Sequence, residues 1–231
     1  FRFGIFGQTL AACGGEMRPN YFKNRPPTMK KITIIILATL FIIGAVFFLF
    51  QKSPVITNYP SQGKTIVAFG DSLVEGVGAT TANDFVSLLS KLISKPIINM
   101  GVAGNTSADG LTRVESVNAQ DPKVVLVLFG GNDYLRKIPI EETFKNIDDI
   151  VMKLQSGGAV VVLLGIQGGI LSDKYNEHFE EIAEKRGALY VPNVLDGVIG
   201  HGELMDDAIH PNDLGYKKIA DKIFPILKKA F

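Results

Sequence analysis

Three polar side chains in this sequence can together attack a carbonyl carbon. The segment VAFGDSLVEGVGA (67–79) places Ser72 directly after a short apolar run. A serine hydroxyl is a weak nucleophile at neutral pH and needs an adjacent base. His210 can supply that base, and Asp207, three residues earlier, can accept its Nδ1–H and leave Nε2 facing Ser72. Asp206 is the alternative acid, displaced by one position.

The same residues also have ordinary structural interpretations. Ser72 can cap a helix, since serine and aspartate are favoured at helix N-termini. Of the other two histidines, His178 lies in the charged stretch DKYNEHFEEIAEKR, which is typical of a solvated helix face. His201 is flanked by glycines in GHGELMDD and is the only other base candidate. The choice between a cap and a nucleophile depends on what the rest of the chain places beside Ser72.

Short apolar runs alternate with amphipathic stretches along the second part of the chain. Five runs rich in β-branched residues predict strands buried on both faces, at 65–69, 96–100, 123–130, 159–166 and 188–192. Helical patterns occupy roughly 81–94, 107–119, 140–156, 172–186 and 213–229. This alternation predicts an α/β fold with an open, doubly wound parallel sheet. We expect a three-layer α/β/α arrangement around five parallel strands, in flavodoxin-like order.

Polar and glycine residues follow four of these predicted strands. Ser72 follows the first, Gly104 in GVAGNTSADG the second, and Asn132 in GGNDYL the third, while the loop after the last strand carries Asp207 and His210. In a doubly wound sheet, ligands bind beyond the carboxyl ends of the strands. The sequence therefore predicts that these loops meet at one edge of the sheet.

Four blocks in this region resemble those of the SGNH, or GDSL, hydrolase family. They are GDSL (70–73), Gly104 in GVAGNTS, GGND (130–133) and D-A-I-H-P (207–211). The likeness is closest to the bacterial thioesterase/lysophospholipase and arylesterase branch, and it covers Thr65–Phe231.

The resemblance implies a role for each matching residue. Ser72 is expected to be the nucleophile, His210 the base and Asp207 the orienting acid. Three donors are expected to form an oxyanion hole: the backbone N–H groups of Ser72 and Gly104 and the side-chain amide of Asn132. Removal of one such donor costs on the order of 3 kcal/mol.

These residues predict a serine ester hydrolase that forms an acyl-enzyme on Ser72. No cofactor, metal site or nucleic-acid partner is expected, and the substrate is a small-molecule or lipid ester or thioester. Tyr134, Leu135 and Ile138 place apolar side chains beside Asn132 and are expected to bind medium or long acyl chains. Two alternatives stay open: a carbohydrate O-acetylesterase of the same family, and an inactive binding module anchored at the cell envelope.

The N-terminal part of the chain predicts a membrane anchor. The 19 residues ITIIILATLFIIGAVFFLF (32–50) carry no charge. As a helix they would span roughly 28 Å, close to the hydrocarbon core of a bilayer. Basic residues are more frequent before this run than after it, which predicts an N-terminus in the cytoplasm. We expect a single-pass bacterial membrane protein with an extracytoplasmic catalytic domain, the signal anchor occupying 29–50.

The remaining segments complete the predicted organisation. Residues 1–28 are expected to be a non-native or disordered extension, because the chain opens with Phe1 while MKKITIII at Met29 resembles an export-signal start. Residues 51–64, which contain proline, serine and glycine, are expected to be a linker before the hydrolase domain, 65–231. With a net charge of +1, the chain lacks the excess of basic residues that is typical of nucleic-acid-binding proteins. The single cysteine, Cys13, excludes an internal disulfide. The oligomeric state is not indicated.

Overall fold

The computed structural model describes residues 29–50, 55–167 and 174–231, so the expectation for residues 1–28 lies outside it. The chain divides into two compact units, Phe1–Ser53 and Pro54–Phe231. The first contains helix α1, Met29–Phe50, in which residues 32–44 are all exposed.

Among the described residues, none of the helices combines the length and apolar character needed to cross a membrane. The side chains of residues 45–50, which belong to the predicted membrane span, lie outside the described part of the chain.

The second unit is built on one parallel sheet. Its five strands are β1 (Thr65–Gly70), β2 (Ile98–Gly101), β3 (Pro122–Leu128), β4 (Val160–Leu164) and β5 (Leu189–Val191), in the order β2-β1-β3-β4-β5. This is the flavodoxin-like order that the sequence predicts. In the sheet, Val67 of β1 is in register with Ile98 of β2 and Val125 of β3.

Helices cover both faces of the sheet. In the described ranges these are α2 (Ser72–Glu75), α3 (Phe85–Ile93), α4 (Ser107–Asn118), α5 (Gly131–Leu135), α6 (Ile140–Ser156), α7 (Lys174–Arg186) and α8 (Asp213–Leu227), with 3-10 turns at Gly202–Leu204 and Lys228–Ala230. Helix α3 packs with α8, whereas α4 packs with α6 and α6 with α7. The predicted three-layer arrangement is therefore present.

The sheet interior explains why the apolar runs form strands. Every residue of β4 is buried, as are five of the six residues of β1. The α6 helix contributes a matching stripe, since Phe144, Ile147, Ile150, Val151 and Leu154 are all buried. Removing this much apolar surface from water is the main favourable term in folding.

Residues 55–64, expected to be a linker, pack along the amino ends of the strands. The Thr57 N–H donates to the Gly187 carbonyl at 2.9 Å. Asn58 Nδ2 donates to the carbonyl of Ala159 at 3.0 Å, and Ser61 Oγ donates to that of Gly158 at 2.8 Å. The segment therefore belongs to the folded domain, and it enters at the edge of the sheet opposite the loops that carry Ser72 and His210.

Candidate active site

Ser72 is the first residue of a four-residue helix that begins as β1 ends. The Asp71 carboxylate caps this helix by accepting the Leu73 N–H at 3.0 Å. The turn is tight, because a Cβ at Gly70 would collide with the Leu128 carbonyl and the Val74 side chain. Ser72 therefore both starts a helix and points its hydroxyl beyond the carboxyl end of β1.

His210 lies on a narrow loop that is closed like a hairpin. Met205 and Pro211 form an isolated antiparallel bridge, and the Asp206 N–H donates to the His210 carbonyl at 2.9 Å. Within this loop the Asp207 carboxylate accepts the backbone N–H groups of Ile209 and His210, at 2.8 and 2.7 Å. The backbone of His210 is thus held in place independently of the contacts that its ring makes.

The side chains of Ser72, His210 and Asp207 form a continuous hydrogen-bonded chain. His210 Nδ1 lies 2.8 Å from Asp207 Oδ2, and His210 Nε2 lies 3.0 Å from Ser72 Oγ. An ionised carboxylate can only accept, so it favours the tautomer with the proton on Nδ1. This tautomer leaves Nε2 as an acceptor for the serine hydroxyl proton, which is the arrangement of a base beside a nucleophile.

The acid in this chain is Asp207. Hydrogen bonds from His210 and from the backbone N–H groups of Ile209 and His210 lower the pKa of Asp207 to about 2. The carboxylate is therefore charged at neutral pH. Asp206, the rival acid in the sequence, contributes its backbone N–H to the loop, whereas it is the Asp207 side chain that contacts the imidazole.

Two of the three expected oxyanion donors are backbone N–H groups. Neither Ser72 nor Gly104 donates its N–H to an acceptor within the described ranges. Gly104 has a φ of +79°, a conformation that favours glycine. Asn132 Nδ2 donates one hydrogen to the Asn105 carbonyl at 3.0 Å, which leaves its second hydrogen available.

The loop that carries Gly104 is held from several sides. Arg113 Nε donates to Asn105 Oδ1 at 2.9 Å, and Arg136 Nη2 donates to the Gly104 carbonyl at 2.8 Å. Arg113 also donates to the Gly70 carbonyl at 3.3 Å, which links this loop to the end of β1. These contacts link the Gly104 loop to the end of β1 and to Arg136, which follows α5.

Asp71 is a buried carboxyl group next to Ser72. Burial raises the pKa of Asp71 to about 7, although the hydrogen bond from the Leu73 N–H lowers it in part. The nearby Asp133 charge raises the pKa of Asp71 further. Asp71 therefore caps the helix, but its buried carboxyl group loses its proton less readily than an exposed aspartate does.

A pocket of about 160 Å³ opens beside Ser72 and His210. The other described residues that line it are mostly apolar: Asp71, Leu73, Gly131, Asn132, Tyr134, Leu135, Ile166, Gln167, Leu195, Ile199 and Ile209. A larger cavity of about 640 Å³, bordered by Thr57 and Gly187, lies instead at the amino end of the sheet. The chemistry favours the smaller pocket, because it contains the nucleophile.

The structure places the sequence-predicted residues unevenly around this pocket. Ser72, His210, Asn132, Tyr134 and Leu135 line it, and Asp207 contacts it through His210. Gly104 and Ile138 are not among its lining residues in the described ranges. Ile138 was expected to line the pocket with Tyr134 and Leu135, but it lies outside the lining, after the chain turns at the end of α5, where the Ile138 N–H donates to the Asp133 carbonyl.

Several lining residues were not predicted as pocket residues from the sequence. Ile166 follows β4, Leu195 and Ile199 follow β5, and Ile209 precedes His210. The convergence of loops at the carboxyl ends of strands was the available signal for them.

In the described ranges no cluster of three or more His, Cys, Asp or Glu side chains is arranged to hold a metal ion. His178 pairs with Glu181 on α7, and His201 with Glu203.

Comparison with known proteins agrees with this geometry. Residues 68–218 match the GDSL-like Lipase/Acylhydrolase family. The chain is 29% identical over 186 residues to Esterase TesA of Pseudomonas aeruginosa, covering 75% of this chain and 92% of that protein. It is 30% identical over 175 residues to Thioesterase 1/protease 1/lysophospholipase L1 of Escherichia coli K12, covering 72% of this chain and 84% of that protein.

A solved structure extends the comparison to the fold. The psychrotrophic esterase EstA from Pseudoalteromonas sp., inhibited by monoethylphosphonate, superposes with a TM-score of 0.65 at 28% identity, covering 71% of this chain and 97% of EstA. The family match spans β1 to α8, including every residue of the hydrogen-bonded chain. The chain therefore belongs to the GDSL-like lipase/acylhydrolase family of SGNH hydrolases and is an ester-hydrolysing enzyme.

Proposed function

We propose that this enzyme hydrolyses carboxylic esters or thioesters through an acyl-enzyme on Ser72. The observation that carries the proposal is the unbroken contact from Asp207 through His210 to Ser72 Oγ, with distances of 2.8 and 3.0 Å. A hydroxyl activated by a base is the requirement for nucleophilic catalysis by serine. The neighbouring N–H donors supply the second requirement, stabilisation of an oxyanion.

In the first half of the reaction, Ser72 Oγ attacks the carbonyl carbon and its proton moves to His210 Nε2. The carbonyl oxygen becomes an oxyanion, which accepts from the Ser72 N–H, the Gly104 N–H and the Asn132 amide. Asp207 stabilises the imidazolium through Nδ1–H. When the tetrahedral intermediate collapses, the bond to the alcohol or thiol breaks and His210 returns the proton to that leaving group.

In the second half, a water molecule replaces the leaving group. His210 Nε2 takes a proton from this water as its oxygen attacks the acyl carbon. The same donors hold the second oxyanion. Collapse breaks the bond to Ser72 Oγ, which recovers its proton from His210, and the carboxylic acid leaves.

The pocket supports an apolar acyl group as the substrate's reacting part. Leu73, Ile166 and Leu195 form its inner wall, while Tyr134 and Leu135 stand at its opening. An apolar lining of this kind binds hydrocarbon more favourably than hydroxylated sugar rings. We therefore propose medium or long acyl chains rather than acetyl groups on a carbohydrate.

We also propose, from its sequence, that the segment 29–50 anchors the enzyme in a bacterial membrane, with the catalytic domain on the extracytoplasmic side. The uncharged sequence of residues 32–50 and the preceding Lys30 and Lys31 support this placement. A fusion of alkaline phosphatase to the C-terminus tests it. Enzymatically active fusions in cells would agree with the proposal, and inactive ones would contradict it.

The hydrolytic mechanism is tested by labelling with a fluorophosphonate probe. We expect stoichiometric labelling of the wild type and none of Ser72→Ala, with turnover of p-nitrophenyl esters reduced by about 10⁴-fold or more in the variant. Ser87→Ala is a matched control, because Ser87 lies on α3 and contacts Asp84 away from the pocket. It should label like the wild type.

Other outcomes identify the alternatives. Equal turnover by the wild type and Ser72→Ala would remove Ser72 from the mechanism. No labelling and no turnover in the wild type would favour an inactive binding module. A series of p-nitrophenyl esters with maximal kcat/KM at acetate would favour an O-acetylesterase over the proposed acyl-chain specificity.

A further inference from the structure

The direction of the Gly104 N–H, an expected oxyanion donor, is set by a turn after β2. Residues 102–105 form this turn, which is closed by the Asn105 N–H donating to the Val102 carbonyl at 3.2 Å. Gly104 occupies its third position with a φ of +79°, a conformation that favours glycine at that place in a turn. Because the N–H belongs to the turn backbone, its direction follows the orientation of the whole turn.

The other backbone N–H groups of this turn have acceptors. The Val102 N–H donates to the Gly70 carbonyl at 3.1 Å, at the end of β1. The Ala103 N–H donates to Glu75 Oε2 at 2.5 Å. The carbonyl acceptors belong to the backbone, whereas the Glu75 carboxylate is a side chain. A substitution can therefore remove this contact without altering the path of the chain.

Glu75 belongs to the same short helix as Ser72. The first residue of α2 carries the nucleophile and an expected N–H donor, and the last carries the carboxylate. Helix α2 lies directly against the end of β2, because a Cβ at Gly101 would collide with the Glu75 backbone nitrogen. Asn99 Nδ2, from β2, also donates to the Val74 carbonyl at 2.6 Å. The Glu75 side chain extends this contact from the strand to the turn that follows it.

Two arginines contact the turn from other elements. Arg113, on α4, donates to Asn105 Oδ1 at 2.9 Å, and Arg136, after α5, donates to the Gly104 carbonyl at 2.8 Å. Within the described ranges neither arginine forms a hydrogen bond with α2. The direct side-chain link between the turn and the helix of the nucleophile is therefore made by Glu75.

We infer that Glu75 is a positioning residue for the oxyanion hole: its carboxylate holds the 102–105 turn at the distance from α2 at which the Ser72 and Gly104 N–H groups reach the same oxygen. The inference rests on the proposed function, because it takes these two groups as oxyanion donors. Glu75 is not among the described residues that line the pocket, so it acts through the turn. Glu75 and Ala103 are both exposed, so water can replace their bond and its loss should cost little stability.

Glu75→Ala tests this role in the full-length protein. Loss of a whole oxyanion donor lowers kcat about 10²–10³-fold, and a displaced donor should cost less. We expect kcat for p-nitrophenyl esters to fall about tenfold. KM should be unchanged, because acylation and deacylation use the same donors and slow by the same factor. Glu115→Ala is the matched control, since Glu115 is exposed on α4 and pairs with Lys153, and it should have wild-type kcat.

Glu75→Gln tests whether the position of the acceptor matters. Its amide oxygen can accept the Ala103 N–H, although a hydrogen bond to a charged acceptor is about twice as strong. We expect kcat of Glu75→Gln to lie within about threefold of the wild type. The inference is overturned if Glu75→Gln is no more active than Glu75→Ala, or if Glu75→Ala itself stays within about threefold of the wild type.

A transition-state analogue separates the oxyanion hole from the acyl pocket. An alkyl trifluoromethyl ketone forms a tetrahedral adduct with the Ser72 hydroxyl, and its carbonyl oxygen becomes an oxyanion. Octanol has no carbonyl oxygen and occupies only the apolar pocket. In Glu75→Ala, Ki of the ketone should rise by the factor by which kcat/KM falls, while Ki of octanol should be unchanged. Equal weakening of both ligands would mean a general disturbance of the site and would contradict the inference.

Amide hydrogen exchange reports on the turn without any turnover. The Ala103 amide should exchange faster in Glu75→Ala than in the wild type, and at the wild-type rate in Glu115→Ala. Unchanged exchange in Glu75→Ala would overturn the inference whatever the kinetics show. Absence of ester turnover in the wild type would instead contradict the proposed function, and the exchange rates would still decide whether Glu75 holds the turn.

Discussion

Asp207 holds His210 by both its backbone and its ring. One carboxylate oxygen accepts the His210 N–H at 2.7 Å, and the other lies 2.8 Å from ring Nδ1. A separation of three residues on a bridged loop makes both contacts possible at once. The acid therefore sets the position of the histidine as well as its tautomer, even though its own side chain is 51% exposed.

Replacing Asp207 by asparagine should remove the tautomer control. The substituted side chain would retain an oxygen for the backbone N–H groups, but its amide nitrogen would face ring Nδ1 with a donor. We expect Asp207→Asn to lower kcat by about 10⁴-fold. Measurement of p-nitrophenyl ester turnover checks this, with Asp206→Asn as the control. If Asp206→Asn loses more activity than Asp207→Asn, the assignment of the acid is wrong.

Asp133 connects the segment after β3 with the N-terminus of α4. Its two oxygens accept the Ser107 N–H at 2.8 Å and the Ser107 hydroxyl at 2.5 Å, and both residues are fully buried. In Asp133→Asn, the amide NH₂ group would face one of these two Ser107 donors, so that two donors would meet without an acceptor. An unsatisfied buried donor costs about 1–3 kcal/mol. We expect that loss in the free energy of unfolding, measured with urea.

The same substitution should lower kcat, because Asn132 and the Gly104 loop lie on either side of this contact. Ser107→Ala is the milder comparison, since it removes the two hydrogen bonds of the hydroxyl, to Asp133 and from Asn146, and leaves Asp133 with the Ser107 N–H. It should lose less stability than Asp133→Asn. A fully stable Asp133→Asn would show that the contact does not hold the two segments together.

Asp71 makes stability depend on pH. Burial raises the pKa of the folded-state carboxyl to about 7, whereas the pKa of an aspartate in an unfolded chain is about 3.9. Between these values the folded state binds more protons than the unfolded state. The free energy of unfolding therefore decreases as pH rises through this interval. Asp71→Asn keeps an acceptor for the Leu73 N–H and removes the ionisation.

We expect the advantage of Asp71→Asn over the wild type to grow from pH 4 to pH 8. The full difference is on the order of 4 kcal/mol, because each pKa unit corresponds to about 1.4 kcal/mol. Urea unfolding curves at pH 4 and pH 8 measure it. Parallel pH profiles for the two proteins would mean that Asp71 ionises as easily in the folded domain as in the unfolded chain.

The strands and long helices were predictable because each follows a periodic pattern. The runs at 65–69 and 123–130 lie within one or two residues of β1 and β3, since strands buried on both faces are continuously apolar. The helical pattern at 140–156 coincides with α6. Helices α2 and α5 were not predictable in this way, because four or five residues are too few to show a helical period.

The residues of the hydrogen-bonded chain were predictable from their position after strands and from the family's motifs. The apolar pocket wall was not. Leu195 and Ile199 lie in a loop after β5 that has no periodic pattern, and their position depends on how that loop folds back. Composition predicted a linker at 51–64, whereas Thr57 and Asn58 contact residues 129 and 97 positions away in the sequence. No local pattern reports such contacts.

Leu135 and Ile138 offer the sharpest test of the acyl-binding wall, because both are expected from the sequence to contact the acyl chain and the structure separates them. Leu135 lines the pocket and is 53% exposed, while Ile138 lies outside the lining. Truncating Leu135 to alanine removes apolar surface that a long acyl chain covers and an acetyl group does not reach. A partly buried leucine contributes about 1 kcal/mol or more, so kcat/KM for octanoate esters should fall about fivefold.

For acetate esters kcat/KM of Leu135→Ala should be unchanged, and Ile138→Ala should leave the octanoate-to-acetate ratio at the wild-type value. A ratio altered equally by both substitutions would place the acyl chain beyond α5, and an unaltered ratio in Leu135→Ala would remove this residue from the wall.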